Sequence, residues 1–372
     1  MKFSNSQAMP ATKYLQLKTP FKFRKGGQIP EYQLAYETWG ELNPGKDNAI
    51  LLFTGLSPSA HASSSPEDQS PGWWEDMLGS NCPLDSDKYF IICVNSLGSC
   101  YGSTGPASLH PDTGMRYALD FPVLTLEDIA ASTDEVVKSF GIEKLAAVVG
   151  ASMGGMSALA YLIQHPKKTR AFISISSALR AEPFAIALRS LQRELIRNDA
   201  VWNEGQYADD EQPVAGMQMA RKLGMITYRS ATEWRQRFGR ERASERGGGA
   251  FGIEFDVESY LEAHAKKFTG QFDANCYLYL SRALDLFDVA EHGGSIAAAL
   301  KEIDIERSLV IGVSSDFLFP LHQQQELAEA LGAVCDNVEF VQLDSIQGHD
   351  SFLVDMDRFR PVICDFLDSG CA

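Results

Sequence analysis

A serine hydroxyl becomes a nucleophile when a base takes its proton and a carboxylate orients that base. Ser152 stands in Gly150-Ala151-Ser152-Met153-Gly154, between the apolar run Leu145 to Val149 and a helical stretch from Met156 to Gln164. A serine on a sharp strand-to-helix turn exposes its hydroxyl above backbone N–H groups, and the flanking glycines let the turn be tight. Asp316 follows the apolar run Ser308 to Val313, and His349 follows Val338 to Leu343. Nucleophile, acid and base therefore occur in that chain order, each after a candidate sheet strand. Asp344 lies too close to His349 in sequence to come from a separate strand end. His61, His110 and His322 do not follow the last sheet strand. The expected set is Ser152, Asp316 and His349, and its chemistry is acyl transfer through a serine ester. Met153 and Leu56, the latter in the loop after Ala49 to Phe53, are candidates for the N–H groups that stabilise the oxyanion. This machinery serves water and other acceptors equally, so the acceptor stays open at this point.

These residues need a sheet to deliver them. Strands are expected within 21–39 and at 49–53, 89–94, 145–149 and 170–175, with helices at 124–138 and about 154–165. After about residue 180 the strand pattern stops, and 184–196, 214–223, 230–238 and 257–268 all read as helix. A charged, glycine-rich break spans 239–250. The alternation resumes with strands at 308–313 and 338–343 and helices at 322–331 and 352–367. The expected architecture is an α/β-hydrolase fold: a mostly parallel central sheet with an inserted all-helical cap, or lid. Its core would comprise 1–180 and 301–372, and its cap 181–300.

Composition narrows the partners. The chain has 372 residues, 45% hydrophobic and 22% charged, with a formal net charge of −16. That charge disfavours nucleic acid and anionic membranes as partners. No apolar run approaches membrane-spanning length, and the first ten residues lack a signal-like apolar stretch, which points to the cytoplasm. Seven cysteines (82, 93, 100, 276, 335, 364 and 371) with no C-x-x-C pair fit neither a disulfide framework nor zinc. Neither a metal nor a tightly bound cofactor is expected.

The chain resembles the homoserine O-acyltransferase family of α/β-hydrolase-fold enzymes, and within it the members that succinylate serine. The resemblance runs through Gly55 and SPSAH, Pro71-Gly72-Trp73-Trp74-Glu75, and Asn95 to Pro106 with its LGSCxGSTGP run. It continues in Asp120-Phe121-Pro122, Gly150 to Met156, Ala220 to Ser230, and Gln347-Gly348-His349-Asp350. It implies a ping-pong reaction in which succinyl-CoA acylates Ser152 and an amino-acid hydroxyl then takes the acyl group. By the same resemblance Arg221 grips the acceptor's α-carboxylate, Tyr228 lines that pocket, and Asp350 receives the α-ammonium. Asp350 also stands where a helix N-cap would be expected. The family's acetyltransferases usually carry aspartate after the oxyanion-loop glycine, where this chain has Leu56, so the comparison favours a succinyl donor. The far carboxylate of a succinyl group calls for a cation or hydrogen-bond donor, with Arg189, Arg193 and Arg229 as candidates. Five arginines (235, 237, 240, 242 and 246) in or beside the break at 239–250 read either as a solvated loop or as a contact for CoA phosphates. The resemblance further implies a homodimer held by cap helices. The alternatives are L-homoserine as acceptor with a succinyl or acetyl donor, an esterase or thioesterase, and a catalytically inert binding module.

Overall fold

Short, unbroken apolar runs cannot face water on either side, and they dictate the centre of the molecule. The computed structural model describes residues 10–208, 210–244 and 249–369; Arg246 and Cys371 lie outside them, as do residues 1–9. Eight strands form one sheet: β1 (Lys13–Leu17), β2 (Tyr32–Trp39), β3 (Ala49–Phe53), β4 (Phe90–Val94), β5 (Leu145–Ala151), β6 (Thr169–Ile175), β7 (Arg307–Val313) and β8 (Val338–Leu343). Their spatial order is 1-2-4-3-5-6-7-8. Only β2 runs against the rest, pairing antiparallel with both β1 and β4. All five residues of β3 and all five of β4 are buried. Their side chains divide by period two: Leu51, Phe53, Ile92 and Val94 join one apolar cluster, and Ile50, Leu52, Ile91 and Cys93 the other. A sheet covered on both faces needs such unbroken apolar strands.

Helices α1 (Leu126–Ser139) and α2 (Met153–Gln164) flank the sheet. Between β6 and β7 the described residues form α3 (Pro183–Arg197), α4 (Val214–Tyr228), α5 (Ala231–Phe238), α6 (Asp256–Phe268), α7 (Ala274–Asp285) and α8 (Ile296–Leu300), with no sheet strand among them. Then α9 (Leu321–Gly332) separates β7 from β8, and α10 (Ser351–Val354) and α11 (Met356–Asp368) end the fold. The observed architecture is an α/β-hydrolase fold with a helical insertion.

Several elements differ from the sequence expectation. β1 lies upstream of 21–39, α4 runs on to Tyr228, and α7 falls where the sequence suggests no helix. The single terminal helix is two, broken at Asp355. Among the described residues no helix is long and apolar enough to cross a membrane. The six described cysteines are free thiols.

Candidate active site

Ser152 sits at the junction of β5 and α2 with φ 56° and ψ −125°, a left-handed backbone unusual for a side-chain-bearing residue. The surrounding chain holds it there. Its N–H donates to the Ile175 carbonyl at 2.9 Å, and its own carbonyl accepts from Ser177 Oγ at 2.8 Å. A Cβ on Gly150 would lie 2.2 Å from the Gly154 carbonyl oxygen, and one on Gly154 would lie 2.5 Å from the Phe53 carbonyl oxygen. Glycine at these positions is therefore a packing requirement. Ser177 had no signal in the sequence, because a serine after a strand reads as an ordinary loop residue.

His349 Nε2 is 2.7 Å from Ser152 Oγ, and His349 Nδ1 is 2.7 Å from Asp316 Oδ2. Asp316 lies just past β7, and its Oδ1 accepts from the N–H groups of Leu318 and Phe319 at 3.0 and 2.9 Å. The network assigns the imidazole proton to Nδ1 and leaves Nε2 free to accept from the serine hydroxyl. Phe319 stacks on the imidazole at 5.0 Å, and Phe352 meets it edge-on at 5.7 Å. Gly348 turns the chain with φ 68°, and a Cβ there would come within 2.8 Å of the Tyr228 carbonyl oxygen and the Ser230 nitrogen. The base is thus packed directly under the α4–α5 junction of the insertion.

The competing side chains are engaged elsewhere. His61 is buried against Glu37, His322 Nε2 lies 2.8 Å from Glu182, and the exposed Asp344 accepts from Ser314. The Asp112 N–H donates to His110 Nδ1.

A cavity opens on Ser152 and His349 and is also lined by Leu56, Arg221, Tyr228 and Asp350. Met153 is the first residue of α2, so its N–H has no intrahelical acceptor. Arg221 makes no ion pair among the described residues. Its guanidinium lies over the rings of Phe268 and Tyr228 at 4.5 and 5.9 Å, and its Nε is buried without a partner. Burial pushes the Tyr228 hydroxyl pKa up, opposed by the charge of Arg221. Asp350 occupies the N-cap position of α10 but makes no capping bond with its side chain. It faces Arg229 instead, at 3.3 Å. Burial raises the Asp350 pKa, against the lowering effects of Arg229, His349 and Arg221.

The three arginines suggested for a distal carboxylate have separate surroundings. Arg193 pairs with Asp285 at 2.7 Å and donates to Ser281. Arg229 is committed to Asp350 and to Gln347. Arg189 pairs with Asp285 at 2.5 Å through Nε, yet its Nη2 is buried without a partner and the residue lines the cavity. Gln192 and Trp73 line the cavity as well. Near the break at 239–250, Arg237 stacks on Tyr260, Arg240 on Phe255, and Arg242 pairs with Glu254. Among the described residues no cluster of His, Cys, Asp or Glu could hold a metal ion.

Comparison with known proteins places this geometry in a lineage. A family model described as the alpha/beta hydrolase fold matches residues 48–355. A serine O-succinyltransferase of Litchfieldella anticariensis is 54% identical over 360 residues, covering 96% of this chain and 98% of that protein. The chain belongs to the α/β-hydrolase-fold acyltransferase family. Solved structures in this fold include a homoserine O-acetyltransferase from Bacillus anthracis, 28% identical with a TM-score of 0.88, covering 96% of this chain and 97% of that one. Esterase E22 is also 28% identical, with a TM-score of 0.87 and coverage of 96% and 99%. This acyltransferase fold therefore has structural neighbours that bear both transferase and esterase names, and the choice of acceptor turns on the cavity.

Proposed function

We propose that this chain is a serine O-succinyltransferase, moving the succinyl group of succinyl-CoA to the hydroxyl of L-serine. One observation carries the amino-acid acceptor: the cavity that opens on Ser152 and His349 also presents Arg221, a guanidinium with no ion pair among the described residues, and a carboxylate, Asp350. An esterase acting with water has no use for that combination, whereas a zwitterionic acceptor matches it charge for charge. The name of the Litchfieldella relative supports the choice of serine and succinyl.

In this reading Ser152 Oγ attacks the thioester carbonyl while His349 Nε2 takes its proton. The Leu56 and Met153 N–H groups receive the oxyanion. The C–S bond breaks, and the imidazolium returns the proton to the departing CoA sulfur. His349 then takes the proton of the acceptor hydroxyl as its oxygen attacks the succinyl-Ser152 ester. Collapse releases O-succinyl-L-serine, and the proton passes back to Ser152 Oγ. Asp316 holds the imidazole and stabilises its charged form. Arg189 suits the far succinyl carboxylate, because its buried Nη2 lacks an acceptor and Leu56 leaves no competing carboxylate at that loop position. Residues 181–300 act as the cap over a core of 1–180 and 301–372, in a cytoplasmic homodimer that contacts through cap helices. The outward side chains of Phe184 and Leu191 on α3, and of Met219 and Ile226 on α4, support that contact.

The test is CoA release from succinyl-CoA and from acetyl-CoA, each with L-serine, L-homoserine or no acceptor. Sustained turnover is expected only with succinyl-CoA and L-serine. Equal turnover without acceptor would sink the transferase reading, and a higher kcat/KM for L-homoserine would move the acceptor by one methylene.

A further inference from the structure

Arg229 follows α4 and does not line the cavity, but the group that it touches does. Its Nε lies 3.3 Å from Asp350 Oδ2, and its Nη1 donates to Gln347 Oε1 at 2.6 Å. Both side chains are largely withdrawn from solvent, with 14% of Arg229 and 24% of Asp350 exposed. Arg229 therefore backs a carboxylate that lines the cavity containing Ser152 and His349.

We propose that Arg229 is a positioning residue for the acceptor: it holds Asp350 ionised and oriented, so that the carboxylate can receive an α-ammonium group. This rests on the amino-acid acceptor proposed above. Burial draws Asp350 toward its neutral form, the charge of Asp316 adds to that, and a neutral acid is a poor partner for an ammonium. The charged groups around Asp350 are Arg229, His349 and Arg221, which favour its ionised form, and Asp316, which opposes it; the phenol of Tyr228 is also close. Of these, His349 changes charge during catalysis and Arg221 is needed by the acceptor's own carboxylate. Arg229 has neither duty. Gln347 fixes its guanidinium, so the charge remains in place before and after the acceptor arrives. The device also favours acceptors that carry an ammonium over simple alcohols, because only these neutralise the second side of Asp350.

The test separates the two half-reactions in Arg229→Gln and Arg229→Lys enzymes. Stoichiometric CoA release from succinyl-CoA without acceptor reads acylation of Ser152. The kcat/KM for L-serine across pH, and for 3-hydroxypropionate, which lacks the amino group, reads transfer. In Arg229→Gln, acylation should be unchanged and the KM for L-serine should rise about tenfold. The acid limb of its pH profile should move up by about 1–3 pH units. Transfer to 3-hydroxypropionate should not fall, and Arg229→Lys should recover most of the loss. If Arg229→Gln does not fold, Gln347→Leu should give the same pattern more weakly, by freeing the guanidinium. An unchanged pH limb and serine KM would overturn the proposal. Equal losses in acylation and in transfer to both acceptors would also overturn it, since that pattern marks a general structural role. A wild-type enzyme that transfers to no amino acid would instead overturn the acceptor reading itself.

Discussion

Asp316 has both carboxylate oxygens engaged, one by His349 and the other by the N–H groups of Leu318 and Phe319. That arrangement makes an amide a poor substitute despite its shape. If the NH2 of a substituted amide faced His349, the imidazole would have to accept at Nδ1 and carry its proton at Nε2, opposite Ser152, where a base is needed. If the amide were reversed, its NH2 would confront two backbone donors. Asp316→Asn should therefore lower kcat by about 10⁴-fold with little change in fold, as read by steady-state CoA release alongside circular dichroism. A loss below about tenfold would show that the acid is not required. Ser152 and Asp316 were legible in the sequence because each follows a strong apolar strand, and His349 because it follows the alternating strand Val338–Leu343. The Arg229–Asp350 pair was not, since ion-pair partners just past α4 and just before α10, far apart in sequence, carry no local signal of their contact.

At the scale of elements, the strands and helices with one clear period were readable, and the exceptions have physical causes. β1 is an edge strand with three of its five residues exposed, so it lacks an apolar run. α7 is buried on most of its circumference, polar Asn275 and Ser281 included, so burial there does not follow residue type alone. The loop after β3 gains its anchor from a contact equally invisible in the sequence. His61 Nδ1 is 2.8 Å from Glu37 Oε2 on β2, and its Nε2 is 2.9 Å from the Ser70 carbonyl. A carbonyl can only accept, so Nε2 carries a proton, and a second proton on Nδ1 suits an ionised Glu37. Burial works against the charged imidazole, but the bonds to Glu37 and Ser70, with the charges of Glu37 and Asp68, outweigh it and raise the His61 pKa. Because the folded value lies above the unfolded one near 6.5, this contribution is fully present below that pH and lost as pH rises through the folded value. Glu37→Gln should lower the thermal midpoint, with a cost of about 3–5 kcal/mol for breaking a buried pair. The gap from wild type should be widest near pH 6 and narrow in alkali. Melting curves at several pH values check this, and a gap independent of pH would show that His61 is neutral in the fold.

At the scale of the molecule, α3 and α4 each present two different faces. On α3, Leu188, Arg189 and Gln192 line the cavity while Phe184 and Leu191 face outward; on α4, Arg221, Thr227 and Tyr228 line it while Met219 and Ile226 face outward. Leu191 and Met219 are 45% and 50% exposed, an arrangement that leaves apolar surface on the two helices that line the cavity. In a chain of net charge −16, association must overcome overall repulsion, so an apolar contact of this kind has to supply the favourable energy. A dimer through this face would also restrain the helices that carry Arg189 and Arg221. Leu191→Glu combined with Met219→Glu should convert the proposed dimer to monomer in sedimentation velocity, because it places like charges across a two-fold contact. The core and its Ser152–His349–Asp316 set do not depend on that face, so the stoichiometric release of CoA should persist in the monomer. The KM for L-serine should rise, since the helices holding its carboxylate lose their outer support. A wild-type protein that sediments as a monomer would reject the interface. A monomeric variant with an unaltered KM would keep the interface and reject its link to acceptor binding.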